Sequence, residues 1–206
     1  MKILIGCEFT GTVRSAFDYF GLEAVSCDIL PSERPGSHFI CDLREKLQDY
    51  WDLIIAFPPC TYISSAGLFY CNVETYGVNA WERIKKRNEA VDFFFEIYFA
   101  NASHICVENP LGFISSSILK PTQIVHPFYF GDSKMKRTAL WLRNLPPLLS
   151  SSDDNLFSSK TYSDSRNEWV TSFSQKDRSR FSPFIAAAMA EQWGSFLINS
   201  KSPVSL

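Results

Sequence analysis

WDLIIAFPPCTY (Trp51 to Tyr62) is the stretch that decides how this chain is read. Trp51 to Phe57 is a mostly apolar run of strand length, the clearest strand in the sequence, and it stops abruptly at Pro58, Pro59 and Cys60. Proline has no amide to donate to a sheet, so the strand ends there and the thiol lies just past its carboxyl end. A second apolar run closes in ICVENP (Ile105 to Pro110), which puts Glu108, Asn109 and Pro110 at another strand end. A nucleophile and an acid at two strand ends are a candidate active site.

Working outward, KILIG (Lys2 to Gly6) reads as a buried first strand, CEFTG as a turn, and Thr12 to Gly21 as a helix closed by glycine. LEAVSCDI (Leu22 to Ile29) and HFICDL (His38 to Leu43) read as strands, each ending in an acid, Asp28 and Asp42. Thr61 to Asn79 is expected to be an irregular, mobile loop, and Ala80 to Ala100 a long amphipathic helix. Ser103 to Asn109 is a fifth strand, LGFISSSIL a short helical piece, and TQIVHPFYF and TALWLRN further strands. Pro183 to Ile198 is alanine-rich and reads as one helix. Strands alternating with helices predict an α/β fold, a doubly wound and mostly parallel sheet in a single domain over residues 1–206. Leu149 to Asp177 is Ser-rich, polar and weakly periodic, and reads as a surface excursion.

With 206 residues, the chain is long enough to bury a sizeable core. A formal net charge of -2 gives no general attraction to polyanions, so any nucleic-acid binding has to be local. The basic clusters are RIKKR (Arg83 to Arg87), KMKR (Lys134 to Arg137) and KDRSR (Lys176 to Arg180); acids flank the first at helical spacing, which favours a solvated face. Six cysteines form no CxxC pair, no metal is expected, and no secretory leader begins at Met1, so a reducing cytoplasm is the expected compartment. No apolar stretch approaches the length of about 20 residues that spans a bilayer.

In open parallel sheets ligands bind at the carboxyl ends of the strands. Those ends carry, in order, Cys7, Glu8 and Phe9; Asp28; Asp42; Pro58, Pro59 and Cys60; and Glu108, Asn109 and Pro110. This order resembles the DNA cytosine-5 methyltransferases, in particular their short phage-borne members, over about residues 2 to 148, with RSRFSPFIAAAMAEQWG similar to the family's last motif. The resemblance implies a Rossmann-like methyltransferase fold, S-adenosyl-L-methionine as cofactor, and DNA or a cytosine nucleotide as substrate. It implies that Cys7, Glu8, Phe9 and Gly11 form the cofactor turn, that Asp28 takes the ribose and Asp42 the adenine amino group, and that Pro59 lies beside the cofactor. The family's turn reads Phe-x-Gly-x-Gly, and here only Gly11 of the glycines remains, with Phe9 where a glycine lets backbone approach the cofactor. Gly11 at the helix start is expected to leave amides free for the methionine carboxylate.

The chemistry explains the residue types. Cytosine C5 is a poor nucleophile until a thiolate adds to C6, the role implied for Cys60. Electron density then reaches N3, where a protonated Glu108 can share its proton, and the apolar residues before Glu108 suggest the burial that would keep it protonated. Asn109 and Pro110 would orient the carboxyl. An arginine holding the base carbonyl is assigned first to Arg137 and second to Lys136, and Tyr62 with Phe69 and Tyr70 is the candidate cover over the base. A full target-recognition region is missing, which leaves relaxed sequence preference, single-stranded or free-nucleotide substrates, or recognition through a protein partner. Three rivals are an amino-methyltransferase, which carries Asp or Asn before its prolines, a methyltransferase-like module that binds nucleotide, nucleic acid or a host protein without catalysis, and an enzyme whose Cys60 and Glu108 catalyse another reaction that begins with thiolate addition to pyrimidine C6.

Overall fold

The computed structural model describes residues 1–132, 136–150 and 180–201. The polar excursion expected from Leu149 to Asp177 therefore falls, from 151 on, outside the described residues, as do Lys134, Lys176 and Arg178 of the basic clusters.

Seven strands form one sheet: β1 (Ile3–Gly6), β2 (Ala24–Asp28), β3 (His38–Ile40), β4 (Trp51–Ala56), β5 (Ala102–Asn109), β6 (Gln123–Val125) and β7 (Thr138–Arg143). Their order is β3-β2-β1-β4-β5-β7-β6, parallel from β3 to β5, with β7 antiparallel to both β5 and β6. All six residues of β4 are buried, as expected of a central parallel strand covered on both faces. Side chains alternate between two cores. Ile3, Ile5, Leu53 and Ile55 join one; Leu4, Ile54, Ala56, Ile105 and Val107 join the other.

Helices close both cores. Val13 and Phe17 of α1 (Thr12–Tyr19) pack on the first with the C-terminal helices. Phe94 and Ile97 pack on the second from the long fifth helix, Val78–Tyr98. The α/β architecture with a mostly parallel sheet is thus as read from the sequence. The chain leaves β1 for β2 and β3 on one side and returns to β4 on the other, so adjacent strand ends feed connections in opposite directions. Such a reversal opens a crevice at the carboxyl ends. Gly6 pairs with Ala56, and the Phe57 amide donates to the Gly6 carbonyl at 3.0 Å, which sets Cys7 beside the Pro58–Cys60 turn.

Four segments differ from expectation. The third strand stops at Ile40 because Asp42 caps a new helix, α2 (Leu43–Lys46), its carboxylate accepting from the Arg44 amide. Thr61 to Asn79 is not irregular: it folds into α3 (Ser65–Leu68), a 3₁₀ turn (Phe69–Cys71) and α4 (Val73–Tyr76), capped by Ser64 and Asn72, before α5 (Val78–Tyr98) begins. After a short α6 (Phe113–Ser117), TQIVHPFYF is strand only to Val125, since Pro127 starts a 3₁₀ turn through Phe130. The last helix is broken into α7 (Pro183–Ala188), a wide π turn (Met189–Trp193) and α8 (Gly194–Lys201). That turn directs the Trp193 indole N–H to the Pro146 carbonyl at 2.9 Å. Among the described residues no helix is long and apolar enough to cross a membrane.

Candidate active site

Cys60 and Glu108 lie at the carboxyl ends of neighbouring strands, β4 and β5, and hydrogen bonds tie their turns together. The buried Asn109 side chain donates to the Pro58 carbonyl at 2.9 Å. The Phe113 amide donates to the Ile63 carbonyl at 2.7 Å, and the Ser65 hydroxyl to the Leu111 carbonyl at 3.0 Å. Cys60 in turn nucleates its own loop: its carbonyl accepts from the amides of Ile63 (3.1 Å) and Ser64 (2.9 Å). Asn109 is therefore a brace between the two turns, a role more specific than orienting the carboxyl.

Gly112 allows this closeness. A Cβ there would lie 2.0 Å from the Ile63 carbonyl oxygen and 2.8 Å from the Ser64 Cα, both of them backbone atoms that can move only with the loop. Gly112→Ala is expected to push the Cys60 loop away from β5, at a cost of about 3 kcal/mol and roughly 10 °C in melting temperature. Calorimetry checks it, and a melting temperature within 2 °C or so of the wild type would refute the packing argument.

The electrostatics suit the pair. Glu108 keeps some access to solvent, yet its carboxyl is so closely surrounded that burial pushes its pKa up to about 7, with the Lys136 charge pulling the other way. Near neutrality it is a carboxylic acid as often as a carboxylate. Burial also raises the Cys60 thiol, the charge of Glu108 raises it further, and Lys136 lowers it. The cation acting on both groups is Lys136. Arg137, the first choice from sequence, is exposed, and its charge acts instead on His126, whose pKa it lowers together with burial. The structure thus brings Cys60, Glu108 and Lys136 together. The remaining thiols mostly behave as core residues. Burial raises Cys7 and Cys106 far above the usual range, and Cys27 is pushed up to about 12 by burial and then by the Cys41 thiol 3.6 Å away.

The turn after β1 differs most from expectation. The buried Glu8 carboxylate accepts from the amides of Val13 (2.6 Å) and Arg14 (3.3 Å), the second and third residues of α1. Those amides are occupied by the chain itself and are not open to a ligand carboxylate. Burial raises the Glu8 pKa, partly offset by these two amides. Gly11 has φ of 65°, and a Cβ on it would lie 2.7 Å from the Arg14 guanidinium; its position is demanded by Arg14. Phe9 is half-buried, and its carbonyl accepts from the Glu33 amide at 2.8 Å.

The acids around the crevice are better placed for a ligand. The charges of Asp28 and Asp42 both raise the Cys7 thiol, so the three cluster at the ends of β1, β2 and β3. Asp28 also closes a turn by accepting from the Leu30 amide, and Asp42 caps α2 and pairs with Arg44 at 3.5 Å. Pro59 is exposed at the tip of β4 and Pro110 half-buried after β5. Asp28 and Asp42 are thus acceptors at the crevice, whereas the amides at the start of α1 are filled by Glu8.

Tyr62 lies under a cation the sequence reading assigned to a solvated face. Arg83 of α5 sits 5.0 Å from the centre of the Tyr62 ring and 4.9 Å from that of Tyr70, and it donates to the carbonyls of Gly67 (3.0 Å) and Thr61 (3.2 Å). Its helical register with the apolar Ile84-to-Tyr98 stripe gave no hint of this.

No known family model matches the chain, and no curated protein matches it closely enough to count as a relative.

Proposed function

We propose that the protein acts on the cytosine ring in DNA by adding the Cys60 thiolate to C6, and that the modification is methyl transfer from S-adenosyl-L-methionine to C5. One observation carries the reading: the buried Asn109–Pro58 hydrogen bond that fastens the thiol-bearing turn to the acid-bearing turn. The order of motifs that resembles the cytosine-5 methyltransferases supports the reaction type, and a mostly parallel seven-stranded sheet is compatible with the Rossmann-like fold that resemblance implies.

The residues divide the work as follows. Cys60 loses its proton to solvent, aided by the Lys136 charge, and its sulfur bonds to C6. The displaced electron pair moves through C5 and C4 to N3, where the Glu108 carboxyl, protonated in about half the molecules near pH 7, delivers its proton. C5 is then an enamine carbon able to take an electrophile. Loss of the C5 proton to solvent water expels the Cys60 thiolate and restores the C5–C6 double bond, and the N3 proton returns to the Glu108 carboxylate. When bound, S-adenosylmethionine would supply the methyl electrophile, with Asp28 and Asp42 as the residues that suit its ribose and adenine.

The first test needs no donor. DNA carrying [5-³H]cytosine should release tritium to water on incubation with the protein, because the enamine takes up a solvent proton at C5. 5-Fluorocytosine DNA with S-adenosylmethionine should form a covalent adduct detected by mass spectrometry, with Cys60→Ala as the blank. No tritium release and no adduct would defeat the reading. Release without methyl transfer would retain the thiolate addition and discard the donor. The filled amides at the start of α1 support a second reading, a methyltransferase-like module that binds nucleotide, nucleic acid or a host protein without catalysis.

A further inference from the structure

Beside the Cys60 loop the chain builds a cleft of about 350 Å³ that the chemistry above does not use. Its walls are Tyr62, Tyr70 and Tyr76, and its charged edge is Arg83, Lys86 and Glu82. Tyr70 and Tyr76 pack with ring centres 5.4 Å apart, and Phe69 adds a third ring, 5.5 Å from Tyr70 and 5.8 Å from Tyr76. This aromatic surface is open: Tyr70 is 49% exposed and Phe69 66%. The cations are dense, with Arg83, Lys85, Lys86 and Arg87 inside little more than one turn of α5. The acid among them, Glu82, holds Lys86 only through an exposed pair at 3.4 Å, which is weak in water.

The cleft adjoins the loop that carries the thiol. Tyr62 is two residues past Cys60, and the guanidinium that lines the cleft also grips the Thr61 carbonyl next to Cys60. Aromatic rings beside cations, here Tyr62, Tyr70 and Tyr76 beside Arg83 and Lys86, are the elements that hold a nucleotide: the base stacks and the phosphate pairs. The volume lies at the small end of ligand sites, about 300–1,000 Å³, which suits one nucleotide.

We propose that this cleft holds the nucleotide next to the target cytosine in a single-stranded polynucleotide, its base on Tyr70 and Tyr76 and its phosphate on Lys86. A base inside a duplex has both faces covered by its neighbours and has none to offer a tyrosine, whereas a splayed strand does. The net charge of -2 also gives little of the broad attraction that duplex binding draws on. The proposal rests on the reading of Cys60 as acting on cytosine, and it turns the open choice of substrate into a strand.

The test is fluorescence anisotropy of a labelled ten-nucleotide strand, as DNA and as RNA, with a hairpin duplex and dCMP as competitors and no methyl donor present. One of the two strands should bind, and neither the duplex nor dCMP should displace it at equal concentration. Tyr70→Ala and Tyr76→Ala should each weaken binding about tenfold. Tyr70→Phe, which keeps the ring, should bind as the wild type does, and so should Tyr19→Ala on the exposed face of α1. Lys86→Gln should reduce the slope of log affinity against log salt by about 0.7, one phosphate contact on a single strand. Displacement by duplex or dCMP at equal concentration, or unchanged affinity in folded alanine variants, would overturn the proposal. Cys60→Ala should bind normally, so strand binding by a protein that releases no tritium would sink the catalytic reading and leave the cleft assigned.

Discussion

Glu108→Gln is expected to slow adduct formation on 5-fluorocytosine DNA by about 10²–10⁴-fold and, at the same time, to make the protein more stable at pH 8. The amide keeps the shape of the side chain and can still offer a hydrogen bond, but it has no proton to transfer to N3. The gain in stability follows from the same burial. A carboxyl whose pKa rises from 4.5 in the unfolded chain to about 7 in the folded one favours folding only while protonated. Its stabilising contribution is complete below 4.5 and is lost as pH rises to 7, because the folded state then holds a proton the unfolded state has released. A displacement of that size corresponds to about 3 kcal/mol, and the partial access of Glu108 to solvent reduces it to about 2. Urea unfolding should show the variant more stable by that amount at pH 8 and nearly equal to the wild type at pH 4. Wild-type adduct formation should fall on the alkaline side as Glu108 ionises and on the acid side as the Cys60 thiolate is lost. A variant that reacts at the wild-type rate would take Glu108 out of the chemistry.

Arg14→Met is expected to cost about 4 kcal/mol, roughly 12 °C in melting temperature, with no substrate involved. Arg14 is fully buried, and its guanidinium donates to the carbonyls of Pro35 (2.7 Å), Arg34 (2.9 Å) and Ser37 (3.2 Å) and to the Ser26 hydroxyl (3.1 Å). Gly11 and Gly36 both have positive φ and leave room for it; a Cβ on Gly36 would lie 2.9 Å from the guanidinium carbon. Methionine fills the space but leaves those carbonyls without donors in a closed interior. Arg14→Lys should rescue little, since one ammonium cannot span the fork. The loop that Arg14 holds also carries Glu33, which pairs with Arg180 at 2.7 Å, so a looser loop would be felt at the C-terminal segment. Guanidinium denaturation of the methionine variant decides it: a loss under 1 kcal/mol or so would show the socket to be incidental.

The strands were legible because a parallel sheet covered on both faces turns each strand into an unbroken apolar run, as in LIIA before Pro58. The prolines then marked where Cys60 stands, and ICVEN did the same for Glu108. What failed to show depended on closure in space. Asp42 was legible as an acid after a strand, but the sequence does not show that its carboxylate also caps a helix through the Arg44 amide. Lys136 and Arg137 are adjacent just before β7, and composition does not reveal which of them comes near Cys60 and Glu108. Arg14 sits between Val13 and Phe17 on the buried face of α1, a position that hinted at burial, but its partners come from 12 to 23 residues away.

Glu8 has a consequence for competition. Joined to α1 by three intervening residues and held in place by packing, its carboxylate is present at the Val13 and Arg14 amides at an effective concentration no free ligand in solution can match. An anionic group arriving there must evict a tethered rival that pays no translational entropy to return. A ligand entering the crevice is therefore selected for what it presents to Asp28 and Asp42, and a carboxylate at its other end gains nothing from the start of the helix.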